Sequence, residues 1–185
     1  TYGLGQVDAN FQPSQSESDE LERMIEEIVS NAFSNSDVAK YYDVTQSSIN
    51  SFFHFKGSDL VPQGVRFSKC ELLGEGRVFA SVTVRVEEVL SRVESDVLDV
   101  LRFLKGNVEI SVMFSVSAEK RIGQVTLESV RIGSIAIPSS ILAALIRSYT
   151  RSDEIPNGFD LESRFSLPYG IERIQVDKGV VSVVQ

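Results

Sequence analysis

The sequence has one cysteine, one histidine and no tryptophan among its 185 residues. With Cys70 alone, no disulfide can form within the chain, and this leaves the redox state of its compartment open. With His54 alone, a metal site built from several imidazoles is excluded. His54 lies in FFHFK, beside three aromatic residues, which favours a structural or partly exposed imidazole over a catalytic base.

The chain also lacks an excess of basic residues and any long apolar run. Its formal net charge is −8, which disfavours nucleic acid as a partner because phosphate backbones bind clustered Lys and Arg. The same charge disfavours electrostatic docking to anionic membranes, although it is compatible with a lipid held inside the protein. No run approaches the length of about 18 apolar residues that a membrane-spanning helix needs.

Catalytic motifs are missing too. No Gly-x-Ser-x-Gly sequence occurs, and Cys70 has no recognisable base beside it in the sequence. Two carboxylate pairs, Asp153 with Glu154 and Asp96 with Asp99, are better explained as a solvated loop and a solvated helix face than as metal ligands. We therefore expect a protein that is not an enzyme and that holds no cofactor and no metal ion.

The length fits one domain. Residues 1–18 are rich in Gly, Gln, Asn and Ser, which predicts a flexible N-terminal segment or linker, and we expect residues 19–185 to form a single domain. The chain starts at Thr1 instead of methionine, which suggests that a segment was removed. A signal peptide or membrane anchor and an expression tag are equally good explanations, so a membrane tether upstream of residue 1 stays open.

Apolar periodicity predicts the helices. Residues 19–34 carry an apolar stripe at helical spacing, with Ser16 or Ser18 as the cap. Thr45 is the predicted cap of a short second helix, and Ser95 the cap of a third that ends at Gly106. A fourth helix begins at Pro138, in the first-turn position where proline is tolerated.

Alternating segments predict the strands. Two strands flank the turn Gly74-Glu75-Gly76, and in the second of them one face is apolar. That face carries Val78, Ala80, Val82, Val84 and Val86. A longer pair follows, in which the alternation slips near Glu128 and again before Ile135, and both slips predict β-bulges that bend the sheet. Two final strands flank the turn 177–179.

The order of these elements favours α+β over a doubly wound parallel sheet, because connections are local and no regular βαβ alternation occurs. We expect a long, curved, mostly antiparallel sheet of six or seven strands. It packs on the long N-terminal amphipathic helix and on shorter helices.

Three stretches together resemble the tubular lipid-binding (TULIP-like) proteins that bacteria secrete or anchor to membranes. They are VTQSSINSFFHF with LVPQGVRFSKCELLGEGRVFASVTVRV, then IGSIAIPSSILAALI, then FSLPYGIERIQVDKGVVSVV. The resemblance covers residues 45–185. It implies a highly curved antiparallel sheet wrapped on a long helix, an extracytoplasmic location (periplasmic, secreted or membrane-anchored), a lipid or other apolar ligand, and no catalytic residues.

Two functions remain as hypotheses. The first is a non-catalytic protein of the cell envelope that binds a lipid or another hydrophobic ligand in an apolar cleft between helix and sheet. Its expected lining consists of inward-facing apolar residues, namely Met24, Ile25, Ile28, Val82, Val84, Val112, Phe114, Leu127, Leu142 and Leu145. The alternative is a protein-interaction or scaffold module with a filled core.

Overall fold

A computed structural model describes residues 11–34, 38–90, 104–153 and 155–185. The helices in these ranges are α1 (Gln15–Asn31), α2 (Gln46–Lys56), α3 (Val86–Leu90) and α4 (Ser139–Tyr149). The strands are β1 (Tyr41–Thr45), β2 (Val65–Gly74), β3 (Arg77–Arg85), β4 (Asn107–Glu119), β5 (Ile122–Ile132), β6 (Ile135–Ile137), β7 (Phe165–Ser166), β8 (Arg173–Asp177) and β9 (Val180–Val184). The helix predicted from Ser95 and the carboxylates Asp96, Asp99 and Glu154 fall outside the described residues.

The strands form one nine-stranded sheet whose described pairings are all antiparallel. Its order is β1-β9-β8-β4-β3-β2, and β5 pairs with β4 and also with β6 and β7. The sheet does not close, so β1 and β2 are its two end strands. This architecture confirms the predicted α+β class, with a large antiparallel sheet and the N-terminal helix packed on it.

β3 and β8 pair with the same edge of β4, one after the other. β3 pairs with β4 as far as Ser115, and β8 joins at Ala118, while β5 occupies the opposite edge. Gly76, in the β2–β3 turn, bridges the two pairings: its N–H donates to the Val176 carbonyl at 3.0 Å, and its carbonyl accepts from the Val116 N–H at 2.8 Å. The β2–β3 hairpin and the β8–β9–β1 group therefore diverge from one point.

Strand register gives the sheet one apolar face, because side chains of directly paired residues lie on the same side. The pairs on this face across β3 and β4 are Val78 with Phe114, Ala80 with Val112, Val82 with Ile110, and Val84 with Val108. The face continues through Ile174 and Val176 of β8 to Val181 and Val183 of β9 and Tyr42 of β1. The predicted alternation in β3 is confirmed from Val78 to Val84.

The two predicted phase slips have different origins. Met113 pairs with Ser129 and Phe114 with Leu127, which leaves Glu128 as the extra residue of a bulge. The first prediction is thus confirmed. The second was wrong: Gly133, with φ +56°, lies in a tight turn between β5 and β6, and the chain reverses there because a glycine can adopt that angle.

The N-terminal helix starts and ends earlier than predicted. It begins at Gln15 instead of residue 19, because the Ser14 hydroxyl, in place of Ser16 or Ser18, accepts from the Glu17 N–H. The Ser14 N–H donates to Ser51 Oγ of α2 at 3.0 Å, and Ser18 is fully buried. Residues 15–18, predicted to be flexible, therefore form the first turn of α1. The helix ends at Asn31 and not at residue 34.

α2 begins after the cap predicted for it. The Thr45 hydroxyl accepts from the Ser48 N–H at 3.1 Å. At the other end of α2, the Lys56 ammonium contacts Asp19 at 2.7 Å and also Glu22, both on α1. These contacts hold the pKa of Asp19 below its ordinary value and that of Lys56 above it, mainly through the hydrogen bond that joins the two.

The boundaries predicted for the starts of α3 and α4 were wrong. β3 was expected to continue through Val86, but α3 begins at that residue. Two hydrogen bonds to Gly106 stabilise this change of direction. The Gly106 N–H donates to the Glu87 carboxylate at 2.8 Å, and the Gly106 carbonyl accepts from the Val86 N–H. Pro138 caps α4 as an extended residue, φ −57° and ψ 135°, so the helix begins one residue later than predicted.

Candidate functional site

One end of the apolar face is covered by α1 and α2. Cys70, Leu72, Val78 and Val176 form a buried cluster, against which Ile49 of α2 packs. A second cluster beside it consists of Ile28 of α1, Tyr42 of β1 and Val183 of β9, with Met24 packed against it. The space between α2 and the sheet is therefore filled at the first cluster, and the space between the N-terminal helix and the sheet at the second.

The other end of the face lies under α3 and α4. Ile132 of β5 is buried there, with Val108, Ile110, Leu145 and Tyr149 packed against it. A cavity of about 30 Å³ remains at this end, and its lining among the described residues is aliphatic. Its lining residues are Val84, Val86, Val89, Leu104, Val108, Ile110, Ile132 and Leu145. This space is about the size of one or two water molecules, far smaller than the roughly 300–1,000 Å³ of a typical ligand pocket.

Between the two covers lies a stretch of apolar face that is only half-buried. It consists of Ala80 and Val82 of β3 and Val112 of β4, and we call these three residues the central strip. Val130, which pairs with Val112, is 1% exposed. The central strip is thus continuous with the buried core on both sides, yet its own side chains are partly accessible.

The opposite face of the same strands is mostly polar, and its apolar residues here are Phe79 and Met113, which pair with each other. Ser81, Thr83 and Ser111 alternate with the central strip residues in register. The Thr83 hydroxyl lies 3.1 Å from that of Ser68 on β2, and the Lys69 ammonium lies over the Phe79 ring on this side. An apolar molecule would therefore find a continuous aliphatic surface on the central strip side, whereas serine and threonine flank the apolar pair on the opposite face.

The predicted lining residues are distributed over three places. Five of them, Val82, Val84, Val112, Phe114 and Leu127, lie on the apolar face of β3, β4 and β5. Two lie on α4, where Leu145 packs against Ile132 and Leu142 is half-buried. The remaining three lie on α1: Met24 and Ile28 belong to the cluster with Tyr42, and Ile25 is 41% exposed.

Sequence reasoning did not select Ala80, Ile110 or Val130, although all three belong to the same face. The period-two alternation of β3 and β4 includes Ala80 and Ile110, and pairing across the bulge at Glu128 would have added Val130. The α1 residues were selected because a helical stripe does not reveal which part of the sheet it covers.

Cys70 and His54 are the two candidate reactive groups. Cys70 is buried, and burial, followed by the negative charge of Glu71, raises the pKa of its thiol to about 11. The thiol is therefore protonated at neutral pH and a poor nucleophile. The His54 ring is exposed and lies edge-on to the Phe55 ring, with 4.7 Å between the two ring centroids. Within the described ranges, no three His, Cys, Asp or Glu side chains converge to hold a metal ion.

None of the helices in the described part of the chain combines the length and apolar character needed to cross a membrane. Searches for relatives returned no matching family model, no matching curated protein and no matching solved structure.

Proposed function

We propose that this chain is a non-catalytic hydrophobic-ligand-binding protein of the lipid-binding kind, and that the ligand lies on the central strip. The observation that carries the proposal is that Ala80, Val82 and Val112 are half-buried and belong to none of the buried clusters on either side, whereas their equally half-buried neighbours Phe114 and Ile110 pack against those clusters. An apolar chain laid there would remove aliphatic surface from water on both partners, at about 25 cal/mol for each Å².

The residues that cover the apolar face on either side of the central strip determine the direction in which such a ligand would lie. At one end the face is closed by Ile49 and Phe67, and at the other by Leu145 and Ile132. A ligand on the central strip would run between α2 and α4, next to the aliphatic cavity that Val84 and Ile110 line. The cavity alone is too small for it, so most of the ligand contact would come from the strip.

Native mass spectrometry of the full chain tests the proposal. After gentle purification, and again after incubation with a mixture of fatty acids and phospholipids, we expect one apolar molecule bound to each chain. Denatured protein analysed in parallel distinguishes bound ligand from covalent modification. A chain that carries no lipid and takes up none from the mixture would contradict the proposal.

The second candidate function is a protein-interaction or scaffold module. The observation that favours it is the filled space under α1, where Ile28, Tyr42 and Val183 pack together. Under this alternative the helices and sheet serve as a rigid support, and the surface carries the function. A stable protein partner recovered together with a chain free of lipid would favour it over the first candidate.

An extracytoplasmic location, with or without a membrane tether, belongs to the first proposal. Its support is the sequence resemblance over residues 45–185. Labelling of intact cells with a membrane-impermeant reagent would test it, since a chain enclosed in the cytoplasm would not react.

A further inference from the structure

The outer edges of the two end strands, β2 and β1, differ in whether their backbone groups have hydrogen-bond partners. Along the outer edge of β2, side chains of α2 occupy backbone groups: Asn50 bonds both the N–H and the carbonyl of Cys70, and Gln46 accepts from the Leu72 N–H at 2.7 Å. β1, at the other end, pairs with β9 alone among the described strands. Open edges of this kind accept further strands, so proteins usually block them.

The register shows which backbone groups of β1 are available. Lys40 and Gln185 exchange two hydrogen bonds, of 2.8 and 3.0 Å. In an antiparallel pair such residues alternate with residues whose N–H and carbonyl point away from the partner. In β1 these are Tyr41, Asp43 and Thr45. Thr45 is already the N-cap of α2, so Tyr41 and Asp43 present their backbone groups to the open edge. The Tyr41 side chain is 73% exposed.

A groove of about 420 Å³ runs along this edge. α1 forms one wall with Glu20, Arg23 and Glu27, and Lys40 and Tyr41 lie on the other. Met24 and Tyr42 also line it, and β9 contributes none of the described lining residues, so the groove lies between α1 and β1 at the β1 end of the sheet. Its volume and position allow an extended chain to lie beside β1 and beneath α1.

The charge of α1 indicates what kind of chain fits. The helix has one basic residue, Arg23, and six acidic ones, Glu17, Asp19, Glu20, Glu22, Glu26 and Glu27. Lys56 pairs with Asp19 and Glu22, and Ser47 donates to Glu17. Of the charged residues that line the groove, Glu27 contacts Lys40 at 3.5 Å, and Glu20 and Arg23 have no ion-pair partner within the described residues. Glu20 is therefore the carboxylate of the groove that is available to a basic side chain.

We propose that β1 is a docking edge for an extended segment of a partner protein with basic side chains at alternating positions. The segment adds a strand to β1 through Tyr41 and Asp43, and its basic side chains reach Glu20 on α1. A second copy of this chain fits less well, because edge-to-edge pairing would bring two acidic α1 helices together on molecules that each carry a charge of −8. The inference is independent of any ligand on the central strip.

Fluorescence anisotropy with the full chain and a labelled peptide of alternating lysine and threonine tests this proposal. We expect saturable binding, and weakening of about tenfold when alternate backbone nitrogens of the peptide are methylated, since this removes main-chain donors and keeps the charge. A peptide with glutamate in place of lysine should not bind. Equal binding of the methylated and unmethylated peptides would overturn the proposal, as would the absence of saturable binding.

Protein variants locate the site. Tyr41→Pro removes one outward N–H and is compatible with an edge strand, so it should weaken binding while circular dichroism stays unchanged. Glu20→Lys should also weaken binding, whereas Glu128→Lys, the same charge change on the exposed β5 bulge, should not. Equal effects of the two lysine variants would overturn the proposal. So would sedimentation showing a dimer that Tyr41→Pro dissociates, because the occupant of the edge would then be a second copy.

Discussion

The side-chain amide of Asn50 satisfies both backbone groups of Cys70. Its Nδ2 donates to the Cys70 carbonyl at 2.9 Å, and its Oδ1 accepts from the Cys70 N–H at 2.7 Å. One asparagine on α2 thus replaces, at this position, the neighbouring strand that the end strand β2 lacks. Both residues are buried, so water cannot substitute for the amide.

Replacing Asn50 with leucine should lower the free energy of unfolding by about 2–4 kcal/mol, because a buried N–H and a buried carbonyl both lose their partner. Urea denaturation measures this change. Gln175→Ala, which removes an exposed amide bonded to Asp177, is the control and should stay within about 0.5 kcal/mol. If Asn50→Leu matched the control, the amide would have no role in covering the edge.

Tyr42 and Tyr149 should respond differently to loss of the hydroxyl group. The Tyr149 hydroxyl is buried and has no hydrogen-bond partner among the residues that the structure describes, so Tyr149→Phe should leave stability unchanged or raise it. The Tyr42 hydroxyl accepts from Asn31 at 2.8 Å and donates to Glu27 at 3.2 Å. Tyr42→Phe should therefore cost about 1 kcal/mol. Thermal melts of both variants check the pair, and the reverse order of stability would contradict the assignment.

The Cys70 thiol should make stability depend on alkaline pH. Burial raises its pKa from 9.0 to about 11, so the folded state holds the proton more tightly than the unfolded state. This contribution is complete below pH 9 and is lost as pH rises toward 11. Relative to Cys70→Ala, the wild type should lose up to about 3 kcal/mol over that interval. Denaturant titrations at a series of pH values give the difference, and parallel curves for the two proteins would refute the shift.

Gly76 should tolerate alanine less well than a glycine of similar conformation in open surroundings. Its φ is +78°, and an added Cβ would lie 2.8 Å from the Val116 carbonyl oxygen. Gly170 has φ +72° with no atom within 4 Å of such a Cβ. Gly170→Ala should cost about 1–2 kcal/mol for the left-handed backbone alone, and Gly76→Ala clearly more. Equal costs would mean that the turn shifts freely away from β4.

The sequence predicted the elements whose pattern is local. The alternation from Val78 to Val84 and the slip at Glu128 both correspond to the observed register. Successive side chains of a strand point to opposite faces, so apolar and polar residues alternate wherever one face is covered. Thr45 was recognisable as a cap because capping depends on residues three positions apart.

Features set by distant parts of the chain were not predictable in this way. β1 was missed because it is short and pairs with β9, so that Asp43 meets Ser182 across 139 positions. The α1 residues were assigned to the same lining as Val82 and Val112 because nothing in a helical stripe says that it packs on β1 and β9. Their position depends on the sheet order, which the local pattern does not contain.

Binding of a dansyl-labelled fatty acid to three proteins tests the central claim most directly. The wild type should bind it saturably with a blue-shifted emission. Val112→Trp, which fills the central strip, should weaken binding by about tenfold or more, equivalent to at least about 1.4 kcal/mol. Ser111→Trp, one residue away on the polar face, should bind like the wild type. A wild type that does not bind the probe, or equal binding by the two tryptophan variants, would contradict a ligand site on the central strip.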